Sequence, residues 1–261
     1  MKKLISLALA AVLGLSLTAC GGKSADSDKK YVQDKGTLVV GITEFEPMDY
    51  QDASGNWIGF DADLAKAFAE SLGVKAEFQI IEWDNKTMEL EGKTIDVVWN
   101  GMTLTDEVKA TMSCSNPYFN NAQVVIVKAD KAADYRSVDS VKGLNFAVEN
   151  GSAGQEQVEA IGAKFTPVLD QATALLEVEA GTSDAAVIDY LMAAATVGEG
   201  TSYADLTYTC ELNSEEYGVG FRKESDLVDA LNDFFKSAYA DGTMQQIADN
   251  YGIGDKLIVQ K

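Results

Sequence analysis

Apolar β-rich runs alternate with helical stretches along this chain, and that alternation confines it to an α/β architecture. The run "GTLVVGIT" (36–43) is rich in β-branched residues. "GFDADLAKAFAESLG" (59–73) places Phe60, Leu64, Phe68 and Leu72 four apart, which predicts one apolar stripe on a helix. Asp61 falls at its start, where the helix dipole favours an acid, and Gly73 ends it. "KAEFQII" (75–81) predicts the next strand, a short helix near 85–91 follows, and "IDVVWN" (95–100) is a third strand. Strands this continuously apolar suit a parallel sheet covered on both faces.

The pattern then restarts. "QVVIVKAD" (123–130) predicts a strand running into a polar segment, and "LNFAVEN" (144–150) opens a second unit with helices near 152–161 and 171–181. "EGKTIDVV" (91–98) and "EAGTSDAAV" (179–187) share an order: a helix end, a Gly, then an Asp opening an apolar strand. One structural unit used twice accounts for this. "EEYGVGFRK" (215–223) is a further strand, and Leu227, Leu231, Phe234, Phe235 and Ala238 mark one face of a final helical segment broken at Asp241-Gly242. Two α/β lobes fit, with the chain crossing between them near 125–129 and 214–219. Lobe 1 is expected over 36–127 plus 216–261, and lobe 2 over 128–215. Ligands in open α/β sheets lie beyond the carboxyl ends of the strands, so the cleft between lobes is the expected site.

The N-terminus reads as an address. Lys2 and Lys3 precede the apolar run Leu4–Leu17, too short and wrongly flanked for a membrane span. It ends in Leu17-Thr18-Ala19-Cys20, which resembles a bacterial lipobox. On that reading 1–19 is a signal peptide, Cys20 is lipidated, and 20–35 is a flexible tether to the membrane; the other reading is an ordinary signal peptide with an incidental Cys. Removing residues 1–19 takes away two lysines and no acid, moving the net charge from −20 to −22. Such a surface repels nucleic acid and anionic lipid. Cys114 and Cys210 are either a disulfide or two buried thiols, and the sequence leaves both open. The chain has no histidine, which excludes Ser–His and Cys–His catalysis, and it carries no P-loop, GxSxG or HExxH motif. No metal or cofactor is implied, and a binding protein is expected rather than an enzyme.

"VGITEFEPMDY", "GFDADLAKAFAESLG", "GMTLTDE", "SNPYF", "VENGSAG", "SDAAVIDY", "EYGVGFRK" and "ADGTMQQIADNYG" together resemble the extracellular solute-binding proteins of polar amino-acid ABC importers, from about Thr37 to about Tyr251. The resemblance implies a monomer with a periplasmic-binding-protein-like fold. Two lobes, joined by two hinge strands, would close on a small ligand and deliver it to an ABC permease. It implies that Phe45 and Trp83 wall the ligand, with Glu44 beside the first. Asn100, Gly101, Met102 and Thr103 would meet the ligand's ammonium and carboxylate. In lobe 2, Asn150, Gly151, Ser152 and Ala153 match a carboxylate-binding turn at a helix N-terminus, and Asp189 matches the acid that binds an α-ammonium.

One position departs from that pattern. Where the family carries an arginine for the ligand's carboxylate, this chain has Val108; its two arginines, Arg136 and Arg222, are distant in sequence. Lys109 is adjacent, but one residue turns a helical side chain by about 100°. Glu149 joins Glu44, Glu46, Asp49 and Asp189 in a region rich in acid. Two ligands remain open: an ordinary amino acid held by backbone N–H groups and Lys109, or a solute of cationic, amine character. A sensor signalling through a partner chain is the alternative to transport.

Overall fold

The computed structural model describes residues 27–261. The signal peptide, Cys20 and the first part of the proposed tether lie outside the described residues.

The first half of the chain forms α1 (Asp28–Lys35), β1 (Thr37–Ile42), the small hairpin β2 (Tyr50–Gln51) and β3 (Trp57–Ile58), and α2 (Phe60–Ser71). Then come β4 (Lys75–Ile80), α3 (Lys86–Glu91), β5 (Val97–Thr103), α4 (Asp106–Thr111), β6 (Ser113–Cys114) and β7 (Phe119–Asn121). The middle forms β8 (Gln123–Lys128), α5 (Val138–Val141), β9 (Asn145–Glu149), α6 (Ala153–Ala160), β10 (Lys164–Val168), α7 (Gln171–Ala180), β11 (Ala185–Asp189), α8 (Tyr190–Thr196) and β12 (Leu206–Glu211). The chain ends in β13 (Glu215–Phe221), α9 (Leu227–Ala240) and α10 (Thr243–Asn250).

These make two α/β lobes. The lobe 1 sheet runs β4-β1-β5-β13-β6, with β7 also on β13; β4, β1 and β5 are parallel and β13 is antiparallel to β5. The lobe 2 sheet runs β10-β9-β11-β8-β12, again with three parallel strands and an antiparallel neighbour. The helical stripe of α2 is buried as its spacing requires, and Leu227, Leu231, Phe235 and Ala238 of α9 are buried beside it. Phe68 and Phe235 flank Trp99, at 6.2 and 5.7 Å between ring centres, so the end of the chain closes the core of its beginning. Each such side chain contributes about 1.5–3 kcal/mol by leaving water.

The sequence echo is a structural repeat. Asp96 opens β5 and its Oδ2 accepts from the Val39 N–H of β1 at 2.8 Å. Asp184 precedes β11 and its Oδ2 accepts from the Asn145 N–H of β9 at 3.0 Å. The Thr94 hydroxyl donates to the Glu89 carbonyl and the Thr182 hydroxyl to the Glu177 carbonyl, both at 3.0 Å. The same turn thus pins the central strand in both lobes.

Two expectations are corrected. The crossings fall at Ala122 and between Glu211 and Glu215, because β8 pairs wholly within the lobe 2 sheet; residues 123–127 belong to lobe 2. The tether does not extend to residue 35. Ser27 caps α1, Val32 is buried, and the Arg222 Nε donates to both carboxylate oxygens of Asp28 at 3.0 Å. Of the two readings left open for Cys114 and Cys210, the free thiols hold, one in each sheet. Among the described residues no helix is long and apolar enough to cross a membrane, and no group of His, Cys, Asp or Glu is arranged to hold a metal.

Candidate functional site

Both crossings run side by side: Asn121 pairs with Glu215, Val124 with Glu211, and the Leu212 N–H donates to the Gln123 carbonyl at 2.8 Å. Directly above this floor the carboxyl ends of β5, β9 and β11 face one another across the cleft. The lobes stand closed, and the enclosed space is about 30 Å³, which is room for about two water-sized spheres. A wider groove of about 620 Å³ continues outward past Thr105, Glu107, Ala153 and Glu156.

Lobe 1 supplies Trp83 and the end of β5. Asn100 turns its side chain inward, accepting from the Thr43 N–H at 3.0 Å and donating to Asp49 Oδ2 at 2.9 Å, so it braces the loop behind the cleft. Gly101 has φ +53°, and its N–H donates to Asp61 Oδ2 at 2.6 Å. A Cβ there would stand 2.5 Å from Phe45 Cε1. Phe45 is therefore the support under Gly101, edge-on to Tyr217, and does not line the cavity as expected. Met102, Thr103 and Val108 line it, Val108 being 6% exposed within the apolar cluster that also holds Trp83 and Ile81. Lys109 projects into the outer groove, and Glu44 opens into a separate pocket with Tyr50 and Tyr203. Neither reaches the cavity.

Lobe 2 supplies Glu149, Gly151, Ser152, Ala153 and Asp189. Ser152 caps α6 by accepting from the Gln155 N–H at 3.2 Å, and the Gly151 N–H donates to Gln155 Oε1 at 2.9 Å. Asn150 lies outside the cavity, donating across the cleft mouth to Asp84 Oδ2 at 3.0 Å.

Sequence reasoning missed Lys86, Gln171, Glu156 and the hinge-floor amides Asn121 and Gln123. Lys86 could have been found, since it follows Trp83 by three residues and shares its face at helical spacing. Nothing local marks the others. Lys86 is the sole cationic side chain among the cavity's lining residues, against Glu107, Glu149, Glu156 and Asp189. Its ammonium reaches across to the Gly151 carbonyl at 2.9 Å, donates to the Trp83 carbonyl at 3.2 Å, and lies 5.1 Å from the Trp83 ring centre. Burial lowers its pKa, opposed by the charges of Glu149 and Glu107. Burial, then the charges of Asp189 and Asp170, push the Glu149 carboxyl well above the usual carboxylate range. Burial and then Glu215 raise Asp189 to about 7. Both acids therefore hold their protons to higher pH than an exposed carboxyl does.

The comparisons with known proteins agree with this geometry. Residues 38–254 match the model of the bacterial extracellular solute-binding proteins, family 3. The arginine-binding extracellular protein ArtP of Bacillus subtilis is 29% identical over 98% of this chain and 100% of its own. A probable histidine-binding protein of Neisseria gonorrhoeae is 32% identical over 96% of each chain. Among solved structures, a mutant of the T. maritima protein ArgBP superposes with TM-score 0.80 at 32% identity, covering 86% of this chain and 98% of that one. A substrate-binding protein of a Streptococcus pneumoniae ABC uptake transporter with bound histidine gives 0.79 at 29% identity, over 88% and 97%. A two-lobed fold, a cleft at the hinge and a family match over most of its length place this chain among the bacterial extracellular solute-binding proteins, family 3.

Proposed function

We propose that this chain captures a small amino acid or amine-bearing solute of cationic character outside the cytoplasm and hands it to an ABC permease. The observation that carries this reading is the cavity's charge: four carboxylates and one ammonium at the closing line of two lobes. Relatives described as arginine-binding and histidine-binding support the ligand class. The chemistry is binding alone. The lipobox-like sequence ending in Cys20 supports a lipid-anchored protein at the cell membrane.

A thermal-shift screen on protein unfolded and refolded to strip bound ligand tests the reading. The panel holds the proteinogenic amino acids, short peptides, polyamines and quaternary amines. Ligand at about a hundred times its Kd stabilises by about 2.7 kcal/mol. A shift with arginine, lysine or histidine supports it; shifts confined to acidic or purely apolar amino acids overturn it. The excess of acid over base favours one second reading, a carboxylate-free amine, which polyamines alone would reveal.

A further inference from the structure

Asp49, in the loop before β2, and Asp61, on the first turn of α2, are fully buried in lobe 1, and neither lines the cavity. Consecutive residues at the end of β5 hold them. Asn100 Nδ2 donates to Asp49 Oδ2 at 2.9 Å, and the Gly101 N–H donates to Asp61 Oδ2 at 2.6 Å. The backbone draws the two acids together as well, since the Asp61 N–H donates to the carbonyl of Met48, the residue before Asp49, at 3.0 Å. The second oxygen of each, Oδ1, has no hydrogen-bond donor among the described residues. A buried carboxylate oxygen with no donor is costly unless something else supplies one.

No base answers them. Among the described residues neither acid belongs to an ion pair. Lys66 of α2 is the base whose charge bears on Asp49, and its ammonium is taken up by Asp63 Oδ1 at 3.0 Å and the Trp57 carbonyl at 2.6 Å. Glu44, in the same loop as Asp49, adds like charge. Tyr118, from the segment before β7, donates its hydroxyl to Asp61 Oδ2 at 2.8 Å, and burial and then the Asp61 charge keep that hydroxyl protonated. Two like charges buried this close do not both stay ionised. Asp61 has two donors and Asp49 one, so Asp61 is the better place for the remaining charge. Burial and then the Asp61 charge push the Asp49 carboxyl well above the usual carboxylate range, in the same sense.

We propose, resting on the solute-binding reading above, that Asp49 and Asp61 hold one proton between them at neutral pH, and that this singly protonated pair positions Asn100 and Gly101 at the cleft. The proton supplies the donor that the two Oδ1 atoms lack. The charge left on Asp61 strengthens its bond to the Gly101 N–H, because an ionised acceptor binds a donor more tightly than a neutral one. Asp49 and Asp61 are positioning residues, acting on the cleft through β5 without touching the ligand. The pair titrates as a unit, so its proton belongs to neither residue alone.

Infrared difference spectra of the stripped mature protein at pH 8 test the sharing, in the region where protonated carboxyls absorb. The wild type should show one band that is missing from Asp49→Asn and from Asp61→Asn alike, because in each variant the amide supplies the donor and the remaining acid ionises. The double variant should lose no more than either single one. A band that survives in one single variant, a second band lost in the double variant, or no loss in any of them overturns the sharing. Calorimetric titration with L-arginine, L-lysine and L-histidine tests the positioning. Asp49→Asn should bind the best of these within about threefold of the wild type, whereas Asp49→Leu, with no polar group for Asn100, should weaken it by about tenfold or more. Adding that ligand should also shift the shared-proton band, which a merely structural role would not do. Circular dichroism shows whether each variant is folded, and the band shift in the wild type keeps the test decisive if Asp49→Leu is not. An unshifted band, or wild-type affinity in a folded Asp49→Leu, overturns the positioning. A wild type that binds none of the three overturns the cationic amino-acid reading and the positioning with it, while the band alone still decides the sharing.

Discussion

Asp189 of lobe 2 and Glu215 at the return crossing accept hydrogen bonds from the same two amides. Asn121 Nδ2 reaches them at 2.6 and 2.7 Å, and Gln123 Nε2 at 3.1 and 2.8 Å. Each amide spends one proton on either acid, so two like charges are held together in a buried place at the hinge.

That arrangement makes stability depend on pH. Asp189 rises from 3.8 to about 7 through burial and then Glu215, and Asp61 rises to about 7 mainly through burial. Between about 4 and 7 the folded chain keeps protons that the unfolded chain releases. Stability therefore falls as pH rises through that window and levels off above it. Melting temperatures between pH 5 and 8 should be highest at the acid end; a maximum at pH 8 would contradict the shifts.

Ligand affinity should run the other way. Protonating Glu149 and Asp189 removes the negative charge that favours a cation. A cationic ligand should bind more weakly at pH 5.5 than at pH 8, and titration at both values reads the difference directly.

Gly101→Ala should destabilise by roughly 1–3 kcal/mol, since the position combines φ +53° with a Cβ 2.5 Å from Phe45. Gly143→Ala, where the added carbon meets nothing within 4 Å, is the control and should leave denaturant midpoints unchanged.

Arg222 joins α1 to the core. Besides Asp28 it donates through Nη1 to the carbonyls of Leu90 and Ile95 at 3.2 and 2.9 Å, and its Nη2 lies 3.5 Å from Asp96 Oδ1. Arg222→Met should cost about 3–5 kcal/mol by leaving the buried Asp28 unpaired, while Asp96 keeps the Lys35 ammonium at 2.5 Å. Urea denaturation measures it, and a loss below about 1 kcal/mol would show the pair to be dispensable.

The stripes of α2 and α9 were legible because four-residue spacing of Phe and Leu has one reading. The repeated turn was legible because Asp96 and Asp184 do the same local work. What was lost depended on distant partners. "QVVIVK" is apolar in either sheet, so its composition could not place the crossing. α1 is polar apart from Tyr31 and Val32, and its anchor, Arg222, lies 194 residues from Asp28. Trp83, Gly101 and Asp189, named by motif, all line the cleft. Phe45 and Glu44 were misplaced because Phe45 folds back to pair with Asp49, which turns its ring inward. Gln171 escaped notice because its bond to Asp189 joins the start of one helix to the end of a separate strand.

The unbridged thiols have a practical consequence. Cys114 and Cys210 are partly exposed and belong to different sheets. A fluorophore on each would turn any change in the separation of the two sheets into a change in energy transfer, readable on a single molecule without any engineered attachment point.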